Sequence, residues 1–174
     1  MTRELQEKLE SYQRVWAEVD LDAIWENMVH MKENIAENTK ILAVIKTDGY
    51  GHGGVPIAKM LEQLDFMFGY AAATYEEAHV LREAGVKKPI LILGYTFPYC
   101  YEELIREEIR PAVYRRDTVE ELVAAAAKVG QKAKVHIKVD TGMGRIGITP
   151  DEEGLEFVRF LMGCLLYTSD AADE

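Results

Sequence analysis

The chain has 174 residues, 48% hydrophobic and 29% charged, and 30 acidic against 20 basic side chains give it a formal charge of −10. Such a chain can bury a core as one domain or part of one, and its acidic balance excludes the basic stripe that a nucleic-acid backbone requires. No apolar run approaches a membrane span of roughly 18 residues, the opening "MTRELQEKLESYQ" lacks a signal-peptide core, and Cys100 and Cys164 have neither metal-ligand spacing nor the numbers for a disulfide framework, so a cytoplasmic protein acting on small molecules is expected.

Residues 1–13 read as an N-terminal extension. "VWAEVDLDAIWENMVHMKENI" then predicts a short strand over 16–21 and a helix capped by Asp22, with Ile24, Met28, Met31 and Ile35 on one core-facing side. Strand-like apolar runs recur at 41–46, 68–73, 90–94, 111–114 and 134–140, at the roughly 20- to 25-residue spacing of a β/α repeat. Helical patterns fill the gaps. Thr74 with Glu77, Thr118 with Glu121 and Thr149 with Glu152 each read as a capping box. Pro150 stands at the first position of the last of these helices, and Gly85 and Gly130 stand where helices stop.

Continuous apolar strands alternating with helices imply a parallel sheet covered by helices, with right-handed crossovers. A doubly wound nucleotide fold would show a glycine fingerprint after its first strand, and "KTDGYGHGG" is not GxGxxG. The expected fold is therefore α/β, a partial (β/α)8 barrel over residues 14–163 with about five of the eight units of a closed barrel. The last eleven residues, "CLLYTSDAADE" at 164–174, carry neither a turn signal nor a strand pattern. One reverse translation of them reads as the transposase end and read primer of a common sequencing library, so a non-native tail on a truncated product is expected; the alternative is an ordinary acidic tail.

In "ILAVIKTDGYGHGG" a lysine, Lys46, closes a buried strand and points into the mouth of the expected barrel. An amine among apolar walls is favoured as the neutral nucleophile that bonds an aldehyde, whereas a strand-end lysine taken alone is usually one that snorkels to solvent. The glycines that follow let the backbone approach a ligand closely or simply turn, and Tyr50 offers a hydroxyl suited to a phosphate. In "KVHIKVDTGMGRIG", period two sends His136, Lys138 and Asp140 into the lumen and Val135, Ile137 and Val139 towards the helices. The glycines of this segment present Arg145, whose planar fork suits a carboxylate or a phenolate oxygen. His52 and His136 are expected to hold backbone or neighbours in place, and His30 and His79 to lie at the surface or its boundary.

"AVIKTDGYGHG" and, about ninety residues later, "HIKVDTGMGRIG" together resemble the N-terminal barrel of the alanine racemase family, and the resemblance runs over residues 14–162 with "WAEVDLDAI" and "RPAVY". It implies a homodimeric isomerase that uses pyridoxal 5'-phosphate to interconvert L- and D-alanine for peptidoglycan synthesis. Lys46 then matches the lysine that carries the cofactor and serves as one base. Tyr50 matches the tyrosine that bonds the cofactor phosphate, Arg145 the arginine near its phenolic oxygen and the substrate carboxylate, and Lys138 a lysine that is carbamylated in many members. Repulsion between Lys138 and Arg145 favours the neutral amine that captures carbon dioxide. The sequence departs from the family in having Thr-Asp-Gly where many members have Ala-Asn-Ala between the lysine and the tyrosine. The family's second base, a tyrosine of the partner subunit, and its C-terminal β domain have no counterpart here, so the piece is expected to be inactive alone. The competing readings are a racemase of serine or of several amino acids, and a non-catalytic barrel that binds pyridoxal phosphate.

Overall fold

The computed structural model describes Lys8, Tyr12, residues 15–164 and the backbone of Tyr167 and Thr168. Among these residues six parallel strands follow one another in space as they do in sequence: β1 (Ile41–Val44), β2 (Met67–Ala72), β3 (Ile90–Ile92), β4 (Ile109–Val113), β5 (Lys134–Ile137) and β6 (Tyr167–Thr168). A doubly wound sheet reverses its strand order at a switch point, and this one does not. The steady progression is the wall of a barrel left open, as the sequence led one to expect.

Helices α1 (Leu21–Glu33), α2 (Gly54–Leu61), α3 (Tyr75–Glu83), α4 (Tyr101–Arg106), α5 (Arg116–Val129) and α6 (Glu152–Met162) cover the outer face. The core lies between them and the sheet, where Leu61, Ile90, Ile92, Leu104, Leu122 and Leu161 are almost completely buried. Each such side chain contributes about 1.5 to 3 kcal/mol through removal from water. Tyr70 reaches outward from β2 and its hydroxyl donates to the Ala58 carbonyl at 2.7 Å, which satisfies its one polar atom within the apolar layer.

Several local expectations are corrected. Residues 15–20 form no strand pairing among the described residues, and Trp16 is 69% exposed, because an extended segment needs a neighbouring strand to become one. The cap of α1 is Asp20, which accepts from the Ala23 amide at 3.0 Å; Asp22 lies in the first turn, where its charge complements the helix dipole. Ile24 and Met28 pack on the core as expected, whereas Met31 and Ile35 are exposed.

α5 begins at Arg116, three residues before the start expected from a Thr118 cap; the Asp117 carboxylate accepts from the Thr118 amide at 2.7 Å, and Thr118 is buried inside the first turn. At α6 the cap is Asp151, which accepts from the Gly154 amide at 2.9 Å, while Thr149 donates its hydroxyl to that same aspartate at 2.6 Å. Gly130 ends α5 in the left-handed conformation. Within the expected tail, Tyr167 and Thr168 pair in parallel with Lys134 and Val135, contrary to the reading of no strand there, because the free edge of β5 accepts any extended segment. The remainder of that tail beyond Cys164, and the N-terminal extension apart from Lys8 and Tyr12, lie outside the described residues.

Candidate active site

The first part of the site grows out of the end of β1. Ile41, Ala43 and Ile45 pack on the core, which leaves Leu42, Val44 and Lys46 on the lumen side. The Ile45 amide donates to the Ala71 carbonyl at 2.9 Å, and there the ladder stops. Thr47, Asp48, Gly49 and Tyr50 then adopt φ angles of 54°, 51°, 63° and 58°, a turn of left-handed helix in which three residues are not glycine. An L-residue costs about 1 to 2 kcal/mol in this region, so the turn stores roughly 3 to 6 kcal/mol.

Hydrogen bonds hold it against that cost. The Gly49 amide donates to the Ile45 carbonyl at 2.8 Å, and the Gly53 amide donates to the Asp48 carbonyl at 2.9 Å. The Asp48 carboxylate accepts from the Gly54 amide at 2.7 Å, and His52 Nδ1 lies 3.1 Å from the Gly49 carbonyl, so this histidine braces backbone as expected. The Thr47 amide donates to the Glu77 carboxylate at 3.0 Å. A Cβ at Gly49 would lie 3.2 Å from both the Gly54 nitrogen and Ile57 Cδ1, so the turn sits tightly on the start of α2. The result brings Lys46 and Tyr50 together: Nζ of the half-buried lysine lies 5.9 Å from the centroid of the exposed phenol ring.

The second part follows β5. Val135 and Ile137 pack on the core, so His136 and Lys138 stand on the lumen side. Burial, and then the charge of Arg110, push the His136 imidazole below its ordinary titration range and favour a neutral ring. The Arg110 guanidinium lies 5.4 Å from the Phe68 ring centroid. Beyond β5 the chain folds back on itself: the Ile148 amide donates to the Lys138 carbonyl at 2.9 Å and the Asp140 amide donates to the Ile148 carbonyl at 2.8 Å. Inside this closure the Asp140 carboxylate accepts from the amides of Gly144 at 3.0 Å and Gly142 at 2.9 Å, and those donors hold it below the usual carboxylate range. Arg145 is exposed on the loop, and Lys138 is half-buried at its root.

Both segments follow the carboxyl ends of parallel strands and therefore rise on one rim, where barrels place their reactive groups. Among the described residues no hydrogen bond or ion pair joins Arg145 to Lys46, Tyr50 or Lys138. His79 belongs elsewhere, stacked on Tyr75 with Nδ1 2.8 Å from Glu107 on the helical side. Three anchoring carboxylates carried no signal as such in the sequence. Asp48 and Asp140 read as loop and lumen residues, and Glu77 as half of a capping box. Its amide does donate to the Thr74 hydroxyl at 3.4 Å, but its carboxylate goes to the amides of Ala73 and Thr47 and does not reach back to the cap. The donor set fits a phosphorylated aldehyde: a lumen-side amine to bond the carbon, a phenol to donate to the phosphate, and a guanidinium fork for an anionic oxygen.

Known proteins resemble this chain over most of its length. The family profile described as "Alanine racemase, N-terminal domain" matches residues 19–166. An alanine racemase of Desulforamulus reducens is 45% identical over 141 residues, covering 81% of this chain and 38% of that protein. A solved alanine racemase of Clostridium difficile 630 superposes with a TM-score of 0.85 at 37% identity, over 91% of this chain and 43% of that one. A histidine racemase of Leuconostoc mesenteroides superposes with a TM-score of 0.72 at 28% identity, over 82% of this chain and 38% of that one. The chain spans about two-fifths of the length of the curated relatives it matches.

Proposed function

The chain belongs to the alanine racemase N-terminal domain family, and from that premise we propose that the whole protein interconverts L- and D-alanine with pyridoxal 5'-phosphate attached at Lys46. The observation that carries this reading is the placement of a lumen-side lysine at the end of a buried strand, locked by a strained turn that sets Tyr50 beside it. When bound, the cofactor supplies the electron sink that lets the α-proton of an amino acid leave.

The chain's own residues do the rest. Lys46 Nζ would hold the cofactor, and it is the group placed to take the α-proton from one face of the α-carbon or return it. The Tyr50 hydroxyl donates to the phosphate. The Arg145 guanidinium orients the substrate carboxylate and the cofactor's phenolic oxygen. Lys138, at the root of the same loop, is the candidate for carbamylation, which would turn a cation beside Arg145 into an anion that pairs with it. Racemisation needs an acid–base group on each face, and in this reading the second is a tyrosine outside this chain. A homodimer, a cytoplasmic location and the supply of D-alanine for peptidoglycan belong to the same reading.

A second reading, racemisation of another amino acid, is favoured by one observation: a histidine racemase shares the fold. The test incubates the whole protein and pyridoxal phosphate with a panel of L-amino acids and follows the D-products with D-specific coupled assays, beside a Lys46→Ala control. Preferential D-alanine formation that depends on Lys46 supports the first reading. Preference for another amino acid supports the second, and no D-product from any substrate contradicts both.

A further inference from the structure

We propose that Glu77 is a positioning residue for Lys46: its carboxylate clamps the backbone amides of Thr47 and Ala73 and so fixes the peptide plane from which the lysine projects, an inference that rests on the reading of Lys46 as the cofactor-bearing residue. The two bonds measure 3.0 Å from the Thr47 amide to Oε1 and 2.8 Å from the Ala73 amide to Oε2.

The geometry explains why a carboxylate is needed at this point. In a parallel pair each residue on one strand donates to one neighbour and accepts from the next but one. The last rung between β1 and β2 is the Ile45 amide on the Ala71 carbonyl. Continued, the ladder would have the Ala73 amide donate to the Ile45 carbonyl and the Thr47 amide donate to the Ala73 carbonyl. The left-handed turn ends that continuation, because the Ile45 carbonyl accepts from the Gly49 amide at 2.8 Å. The two amides that lose their ladder acceptors are the two that the Glu77 oxygens receive. One side chain thus replaces two acceptors, and an ionised carboxylate, with two oxygens and no donor, is matched to a pair of donors.

Packing does only part of this work. Gly49 sits tightly against Gly54 and Ile57 of α2, but beside that contact lies a cavity of about 250 Å³, lined among others by Ile45, Asp48, Gly54, Glu77, Val80 and Leu81, and there the carboxylates of Asp48 and Glu77 supply the hold. The peptide unit between Lys46 and Thr47 contains the very amide that Glu77 receives, and Ile45 on the other side is buried in the core. Lys46 is therefore fixed from both directions along the chain, by packing before it and by Glu77 after it. Without the clamp the turn can unwind to relieve its strain, and the amine no longer meets the cofactor's carbon in one geometry.

The test uses the whole protein with Glu77→Gln, Glu77→Ala and Thr74→Ala. Thr74→Ala removes the hydroxyl that accepts from the Glu77 amide at 3.4 Å, weakening the start of α3 while leaving the clamping carboxylate in place. Two quantities are read: hydrogen exchange at the Thr47 and Ala73 amides in cofactor-free protein, and the affinity for pyridoxal phosphate from the visible absorbance of the attached form. Glu77→Ala should speed exchange at both amides and weaken attachment by about tenfold or more, since small misplacements of reacting groups are costly. Glu77→Gln, with one acceptor oxygen left, should fall between it and the wild type. Thr74→Ala should lower the melting temperature and leave attachment within about twofold of the wild type, as expected for a lost cap. Unchanged exchange and affinity in Glu77→Ala overturn the proposal, as does an equal loss in Thr74→Ala, which would make Glu77 a merely structural part of the helix. Wild-type protein that attaches no cofactor at Lys46 overturns the reading of the site and this inference with it, and is told apart by the exchange difference, which needs no cofactor.

Discussion

Replacing Thr47 by asparagine should make the protein more stable. Thr47 has φ 54° and ψ 49°, and a β-branched side chain is poorly tolerated there, whereas asparagine visits the left-handed region routinely. The strain at one such position is about 1 to 2 kcal/mol. Thr47 is exposed, so little buried contact is lost, and the exchange keeps the amide that donates to Glu77. Asparagine also avoids the extra backbone entropy that glycine would bring to the unfolded chain. The net expectation is a gain of about 1 kcal/mol. Urea unfolding of the whole protein reads it as a higher midpoint at unchanged slope. Thr47→Val, which keeps the branching, should show no gain, and cofactor attachment should be unaltered in both variants. A lower midpoint in Thr47→Asn would refute the reasoning, because it would mean that the turn is not strained at this residue.

Gly147→Ala should open the second loop: with φ 131° at this residue its Cβ would lie 2.6 Å from the Asp140 nitrogen, and the loss of two backbone hydrogen bonds with the strain amounts to about 3 to 5 kcal/mol. Faster exchange at the Asp140 and Ile148 amides, with a fall in kcat/KM, checks it. Arg145→Lys keeps the charge but loses the fork, so kcat/KM for alanine should fall by about 10²-fold, and unchanged kinetics would place Arg145 outside the site. Because His136 binds its proton less readily in the folded chain than at its ordinary value of 6.5, the unfolded chain takes up more protons just below that pH. Its contribution to stability should be complete above about pH 6.5 and be lost as the pH falls through the folded value; His136→Gln should flatten that part of the stability profile.

The strands were legible because long apolar runs rich in β-branched residues have few other uses, and period two separated Val135 and Ile137 from His136 and Lys138 without error. The lumen-side position of Lys46 was legible too, since the end of a barrel strand has a known direction. The handedness of the turn was not. Its glycines signalled freedom, yet Thr47, Asp48 and Tyr50 also take positive φ, in a turn closed by local backbone hydrogen bonds and by one from Thr47 to the remote Glu77. Caps were misassigned where two candidates stand close together, as with Asp20 and Asp22 or Thr149 and Asp151, because the direction from which the chain enters a helix decides between them. Glu77 matched a local pattern, but two amides freed by the broken ladder lay within its reach. The strand expected over 16–21 had the right pattern, and only a partner strand could have made it one.

The central claim is that Lys46 carries the cofactor, and chemical trapping tests it most directly. The whole protein loaded with pyridoxal phosphate is reduced with borohydride, digested, and its peptides are mapped by mass. The account predicts one pyridoxyl-labelled peptide, modified at Lys46 and absent from Lys46→Ala. A label on Lys138 in the wild type, or undiminished labelling of the Lys46→Ala protein, would contradict it.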